Sequence, residues 1–360
     1  MFGCKEVKSV QSARKMRAST PILPARIGAA SMQADLACSE AKAKAIKHQP
    51  SHVRCRVYTS HTRHSRPCHQ VAVSEAMTVR IIHTLADIAD HYDAVLCDVW
   101  GVIHNGRAAY QAGCNALAAF RELGKPVVLI SNAPRPSNVI PKQLEALQVR
   151  RDAWDAIVTS GDATRAEIEK RGPRGYKIGP SKDEGLYDGL PVDFRPAETA
   201  DYVICTGLRD DLSEPPESYR EELATLAARN LPFICANPDR VVQFGGHLIP
   251  CAGALADIYE ELGGPVIMAG KPYAPIYDLT IAEAERLAGK PLARERLLCI
   301  GDGVQTDVAG AHGQKLDCLF VAGGIHAAEL SNADGLDGGK VEAFLASYRV
   351  DARWAIAELA

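Results

Sequence analysis

The chain has 360 residues, 47% hydrophobic and 24% charged, with a formal net charge of −3. That length makes two domains the prior and leaves ample chain for sizeable cores. No apolar run approaches the roughly 20 residues of a membrane helix, so no membrane partner is expected. The charge is uneven: residues 1–77 hold 13 Lys+Arg against 4 Asp+Glu, a balance of +9, which leaves −12 for the remainder.

Residues 1–76 show no sustained helix or strand period and no apolar signal-peptide core. Three readings compete for this basic extension. It is untranslated leader read from a start set too early, an Arg- and Ser-rich organelle transit peptide, or a disordered basic tail. The first is preferred, because Met77 is followed at once by a well-patterned domain. Cytoplasmic localisation goes with it, and an organelle matrix with the second. No nucleic-acid partner is expected. Four of the 11 cysteines lie here, but Cys55 and Cys68 lack the paired spacing of a zinc module.

From Met77 onward, apolar runs alternate with helical spacing. Leu85–Asp90 has short helical spacing. AVLC at 94–97 is a buried strand that delivers Asp98 to a turn containing Gly101. Tyr110–Leu123 is an amphipathic helix ended by Gly124. PVVLI at 126–130 is a strand ending in Ser131 and Asn132. A helix follows over 137–147, with Pro141 in its first turn, and then the strand AIVT at 156–159. Alternation with short loops predicts a parallel sheet covered by helices.

RGPRG at 171–175 reads as a linker. Residues 176–264 then carry strands at 176–179, 202–207 and 231–237 and helices at 218–230 and 252–262, a second α/β unit inserted into the first. Gly245, Gly246 and the Gly263–Gly264–Pro265 turn mark the way back. PVIMAGKP at 265–272 is expected to rejoin the first sheet. A helix over 276–288, a strand at 296–301 ending in Gly301 and Asp302, a strand at 318–324 and a helical C-terminal region around Trp354 complete the chain. The domains are therefore placed at 77–174, 175–264 and 265–360, after the extension. The seven cysteines beyond Met77 sit in apolar or small-residue contexts without CxxC spacing, as core cysteines of a reducing compartment do.

Asp98, Ser131 with Asn132, Lys271, and Asp302 with Asp307 stand at the ends of four apolar strands. Each alone reads as a strand cap, a turn serine, a surface lysine or a turn aspartate. In one parallel sheet, all four ends face the same edge. Three carboxylates in one crevice repel unless a hard cation lies between them, and oxygen ligands favour Mg²⁺ over zinc. Such a site beside a lysine and a hydroxyl suits a phosphoryl group, with Asp98 free to act as nucleophile.

This order and spacing resemble the haloacid dehalogenase (HAD) superfamily. Its first motif, Asp-x-Asp-Gly-(Thr/Val), matches Asp98-Val99-Trp100-Gly101-Val102 except at Trp100. Ser131 matches the second motif, Lys271 the third, and Gly301, Asp302, Thr306 and Asp307 the fourth. The insertion, with ANPD at 236–239 and IPCAGAL at 249–255, resembles the class IIA cap. The resemblance implies an α/β fold, a Rossmann-like parallel-sheet core with an inserted α/β cap. It implies a Mg²⁺-dependent phosphatase of small phosphomonoesters (sugar phosphates, nucleotides or pyridoxal phosphate) acting through an aspartyl-phosphate. Asp98 would be nucleophile and metal ligand, with the Trp100 carbonyl, Asp302 and Asp307 completing the metal site. Ser131, Asn132, Gly101 and Lys271 would hold the phosphoryl group, and Asn237 and Asp239 would lie against the rest of a small phosphorylated metabolite. Homodimer contacts through the cap are also implied.

Trp100 departs from the pattern. The family places its general acid/base here, and an indole exchanges no proton near neutral pH. Losing such help typically costs about 10²–10⁴-fold in rate. The alternatives are an enzyme for good leaving groups, an acid supplied by His104 or by Asp239, a non-phosphatase HAD reaction, or a protein that binds a phosphorylated ligand without efficient catalysis.

Overall fold

A computed structural model describes residues 78–244, 247–323, 327–333 and 335–360. The basic extension 1–76 and the Gly245–Gly246 pair fall outside the described residues, so the readings placed on them are not addressed by it.

Seven parallel strands form the larger sheet. Their order is Arg80–Ile81, Trp354–Ile356, Asp317–Val321, Leu297–Gly301, Ala94–Asp98, Val127–Ser131 and Ala156–Thr159. The Asp98 strand lies inside the sheet between Leu297–Gly301 and Val127–Ser131, and every residue of Ala94–Asp98 is buried, as in a strand covered on both faces. Side-chain alternation divides it between two cores. Val95 and Cys97 join Leu117, Phe120 and Trp154 on one face, while Ala94 and Leu96 join Tyr277, Val308 and Phe320 on the other. Fully burying a side chain of the size of Leu96 contributes about 1.5–3 kcal/mol.

The helices form where the spacing puts them. Gln111–Glu122 buries Cys114, Leu117 and Phe120 on one side and stops before Gly124, whose φ of +76° closes the end. Ile140–Ala146 has Pro141 in its first turn, where the missing N–H has no helical partner anyway. All seven cysteines in the described residues are buried and free.

A second, five-stranded parallel sheet has the order Val266–Met268, Phe233–Cys235, Tyr202–Cys205, Arg174–Ile178 and Asp193–Phe194. Its core gathers Leu223, Leu226, Leu255 and Tyr259 from the two covering helices. This is the inserted cap, and it corrects one expectation. The strand before Lys271 pairs with Phe233–Cys235 in the cap and does not rejoin the larger sheet. The boundary set after 264 therefore falls on the wrong side of this strand. A hairpin, Val241–Phe244 with His247–Pro250, was not foreseen. The segment around Trp354 is a strand inside the larger sheet, pairing with Asp317–Val321, and not a helix. Among the described residues, no helix is long and apolar enough to cross a membrane.

Candidate active site

Register places the reactive groups side by side. Asp98 pairs with Ile130 across the strands, so Ser131 follows one residue beyond, and Cys97 pairs with Ile300, so Gly301 and Asp302 follow on the other side. Three neighbouring strands of the larger sheet thus deliver Ser131, Asp98 and Asp302 to one edge. Asp307 arrives from the following helical turn, Val304–Val308. Its Oδ2 accepts the Gly303 N–H at 3.1 Å, which ties the turn down.

Lys271 reaches this edge from the connection between the last cap strand, Val266–Met268, and the core helix Ala274–Ala288. Its Nζ donates to Asp98 Oδ1 at 2.5 Å and to Asp307 Oδ1 at 2.6 Å, with all three residues buried. Burial works against the ammonium, but Asp307 and Asp98 outweigh it and hold Lys271 well above the ordinary lysine value. Burial, with Asp307 adding to it, pushes the Asp98 carboxyl up against the pull of Lys271. Asp302 is pushed up to about 6 by burial and then by Asp307. The physical content is an excess of negative charge: three carboxylates face one ammonium.

The Lys271 position is set by Asn132. Asn132 Oδ1 accepts the Lys271 N–H at 2.7 Å, and its Nδ2 donates to the Lys271 carbonyl at 3.2 Å and to Asp239 Oδ1 at 3.0 Å. The side chain expected to hold phosphate is thus spent on clamping the lysine loop and tying core to cap. Gly270 allows this approach, since a Cβ there would fall 2.4 Å from Asn132 Oδ1. Ser131 is buried, and its Oγ accepts the Ala133 N–H at 3.3 Å. Asn237 Oδ1 accepts the Asp239 N–H at 3.1 Å, so the ANPD loop is braced from within. Burial raises the Asp239 carboxyl, against the Asn132 hydrogen bond and Lys271.

Gly101 also has a different role from the expected phosphate contact. Its N–H is donated to the His104 carbonyl at 2.9 Å. Its φ is +80°, and a Cβ would fall 2.0 Å from Asp302 Oδ2. Only glycine lets the first motif pack against the fourth. His104, the other candidate for an acid, is fully buried, its Nδ1 accepts the Gly106 N–H at 3.0 Å, and burial lowers its pKa to about 4. Sequence reasoning gave no packing role to Gly270 or Gly106. Their signal was a glycine beside a chemistry-bearing residue, without a visible turn.

Beside Asp302 a cavity of about 410 Å³ opens among Thr306, Phe320, Tyr348 and Val241, the last from the cap hairpin. It offers room for the body of a small molecule. The oxygen-only donor set fits a hard divalent cation: carboxylate oxygens of Asp98, Asp302 and Asp307 all lie within 4.8 Å of one another.

A family model described as haloacid dehalogenase-like hydrolase matches residues 95–188, and a second, HAD-hydrolase-like, matches 268–341. A crystal structure of a haloacid dehalogenase-like hydrolase from Brucella suis 1330 is 43% identical, covers 78% of this chain and 100% of its own, and superposes with a TM-score of 0.67. The chain belongs to the haloacid dehalogenase-like hydrolases. Curated relatives of this hydrolase include the sugar-phosphatase AraL of Bacillus subtilis, 26% identical over 60% of this chain and 77% of that protein. The ribonucleotide monophosphatase NagD of Escherichia coli is 23% identical over 64% and 88%. With the α/β cap inserted between Ser131 and Lys271, these relatives place the hydrolase in class IIA.

Proposed function

We propose that this hydrolase is a Mg²⁺-dependent phosphatase of small phosphomonoesters that acts through an aspartyl-phosphate on Asp98. The observation that carries the reading is the buried Asp98–Lys271–Asp307 contact, at 2.5 and 2.6 Å, set beside Asp302 at the edge of the sheet. The relatives named for sugar phosphates and ribonucleotides support the same substrate class.

Lys271 holds Asp98 Oδ1 and leaves Oδ2 to attack phosphorus. The ammonium also lies where it would stabilise charge on the phosphoryl oxygens, and the Ser131 hydroxyl would donate to one of them. Asn132 acts through Lys271, by fixing its backbone. The carboxylates of Asp98, Asp302 and Asp307 with the Trp100 carbonyl would hold Mg²⁺. When bound, the metal neutralises phosphoryl charge and the crowding among the carboxylates.

The test is hydrolysis of a phosphomonoester panel that includes p-nitrophenyl phosphate, and of the acyl phosphate acetyl phosphate, with Mg²⁺ and with EDTA, beside an Asp98→Asn control. Turnover that requires Mg²⁺ and vanishes in the control supports the reading, as does a rise in melting temperature with Mg²⁺. No turnover on any ester, from protein whose melting temperature still responds to Mg²⁺ and inorganic phosphate, would refute the phosphatase assignment in favour of ligand binding.

A further inference from the structure

Asp98 has a way to attack, but the position where the resemblance places a general acid for the departing oxygen holds Trp100. The indole of Trp100 stands two residues from the nucleophile and exchanges no proton near neutrality. His104 is fully buried. What the turn does build is a surface. The Trp100 ring is 44% exposed, whereas Trp154 and Trp354 are each 5% exposed. The exposed ring is nonetheless seated. His104 meets it edge-on, with centroids 4.9 Å apart and planes at 73°. The Gly106 N–H fixes that imidazole. A Cβ on Gly106 would fall 2.5 Å from Trp100 Cη2, so the indole rests on bare backbone. The same turn packs against Asp302 through Gly101, and the cavity beside the site opens at Asp302. An indole braced by His104 and by the bare backbone at Gly106, yet 44% exposed, is suited to stacking a planar group.

We propose that Trp100 is a specificity-determining platform and that the site takes aryl phosphates, whose ring stacks on the indole and whose oxygen leaves without a proton. This rests on the phosphatase reading. Asp98 attacks phosphorus, and the P–O bond to the aryl group breaks with its electron pair going to oxygen. The phenolate so formed then takes a proton from water. Water attacks the aspartyl-phosphate, the P–O bond to Asp98 breaks, the carboxylate is restored and the water's proton leaves with phosphate. A sugar or glycerol alkoxide, close to hydroxide in basicity, is a poor fit to the first step, while a delocalised phenolate suits it.

The experiment measures kcat/KM of the full chain with Mg²⁺ on 4-nitrophenyl, phenyl, glycerol and acetyl phosphates. The expected result is a steep fall with leaving-group basicity, with 4-nitrophenyl phosphate ahead of glycerol phosphate by about 10²–10⁴, the factor a general acid contributes. Trp100→Asp, which restores a carboxyl, should narrow that gap at least about tenfold. Trp100→Ala should lower the ratio of aryl to acetyl phosphate turnover by about 5- to 100-fold, the range of aromatic stacking losses, and Trp100→Phe should preserve most of it. Phenylphosphonate, which is not hydrolysed, should quench tryptophan fluorescence and bind more tightly than methylphosphonate.

Equal kcat/KM on aryl and glycerol esters would overturn the proposal; if Asp239→Asn then steepened the dependence, the proton would be assigned to Asp239. An aryl-to-acetyl ratio unmoved in Trp100→Ala, with no preference for phenylphosphonate, would also overturn it. Absence of turnover on all four substrates would refute the phosphatase reading itself, and the phosphonate comparison would still decide whether Trp100 stacks.

Discussion

Replacing Lys271 by Met removes the only ammonium in contact with Asp98 and Asp307 among the described residues while nearly keeping the side-chain volume. Both carboxylates are about 95% buried, at 6% and 4% exposure, so water cannot replace the lost partner without opening the site. Removing one member of a buried ion pair costs about 3–5 kcal/mol, because the other charge is left uncompensated. Here two carboxylates lose their partner and Asp302 adds to their repulsion, so the upper half of that range is expected. That is a large share of the roughly 5–15 kcal/mol that holds a domain folded.

The sign of the pH dependence follows from the carboxylates. A carboxyl whose folded pKa lies above its unfolded value takes up a proton on folding, so its contribution falls as pH rises through that window. Burial already pushes Asp98 upward and Asp302 to about 6, and removal of Lys271 pushes further in the same direction. The penalty in K271M should therefore be largest near pH 8 and shrink toward pH 5, where protonation relieves the repulsion. Urea unfolding of wild type and K271M in EDTA at the two pH values measures it. A loss below about 1 kcal/mol at pH 8, or an equal loss at both pH values, would refute the buried ion-pair account.

Three further outcomes follow from the same geometry. Gly101→Ala forces a side chain into φ +80° and toward Asp302 Oδ2, so it should lose roughly 1–2 kcal/mol and require more Mg²⁺ for half-maximal activity; an unchanged Mg²⁺ requirement would count against the packing of motif one on motif four. Asn132→Ala removes three side-chain hydrogen bonds and should cost roughly 1.5–4 kcal/mol in urea unfolding, with a fall in kcat from the displaced lysine; a stable variant with only KM altered would return Asn132 to a phosphate-binding role. His104, with its pKa lowered to about 4 by burial, should show no imidazole proton shift between pH 5.5 and 8 by NMR, and a midpoint near 6.5 would show it is accessible as an acid.

The strand ends were legible because the local signal and the chemistry coincide there. A run such as Ala94–Cys97 can only be a buried element, and a carboxylate directly after it must be paired or functional. The same logic exposed Ser131, Lys271, Asp302 and Asp307, and it gave the parallel α/β class and the inserted unit. It did not give strand partnership. Val266–Met268 is an apolar run that would fit either parallel sheet, and only its pairing with Phe233–Cys235 shows that Lys271 stands where the chain leaves the cap for the core. Trp354–Ile356 is three residues long, too short for periodicity to separate strand from helix. The roles of Asn132, Gly101 and His104 were decided by tertiary contact alone: which amide faces which backbone, where a Cβ has no room, and whether an imidazole meets water. The sequence by itself determined which groups are available for chemistry, because residue type and strand periodicity are local properties. The folded structure decided which of them touch, because contacts between Asn132 and Lys271, 139 residues apart, are set by packing and not by any local pattern.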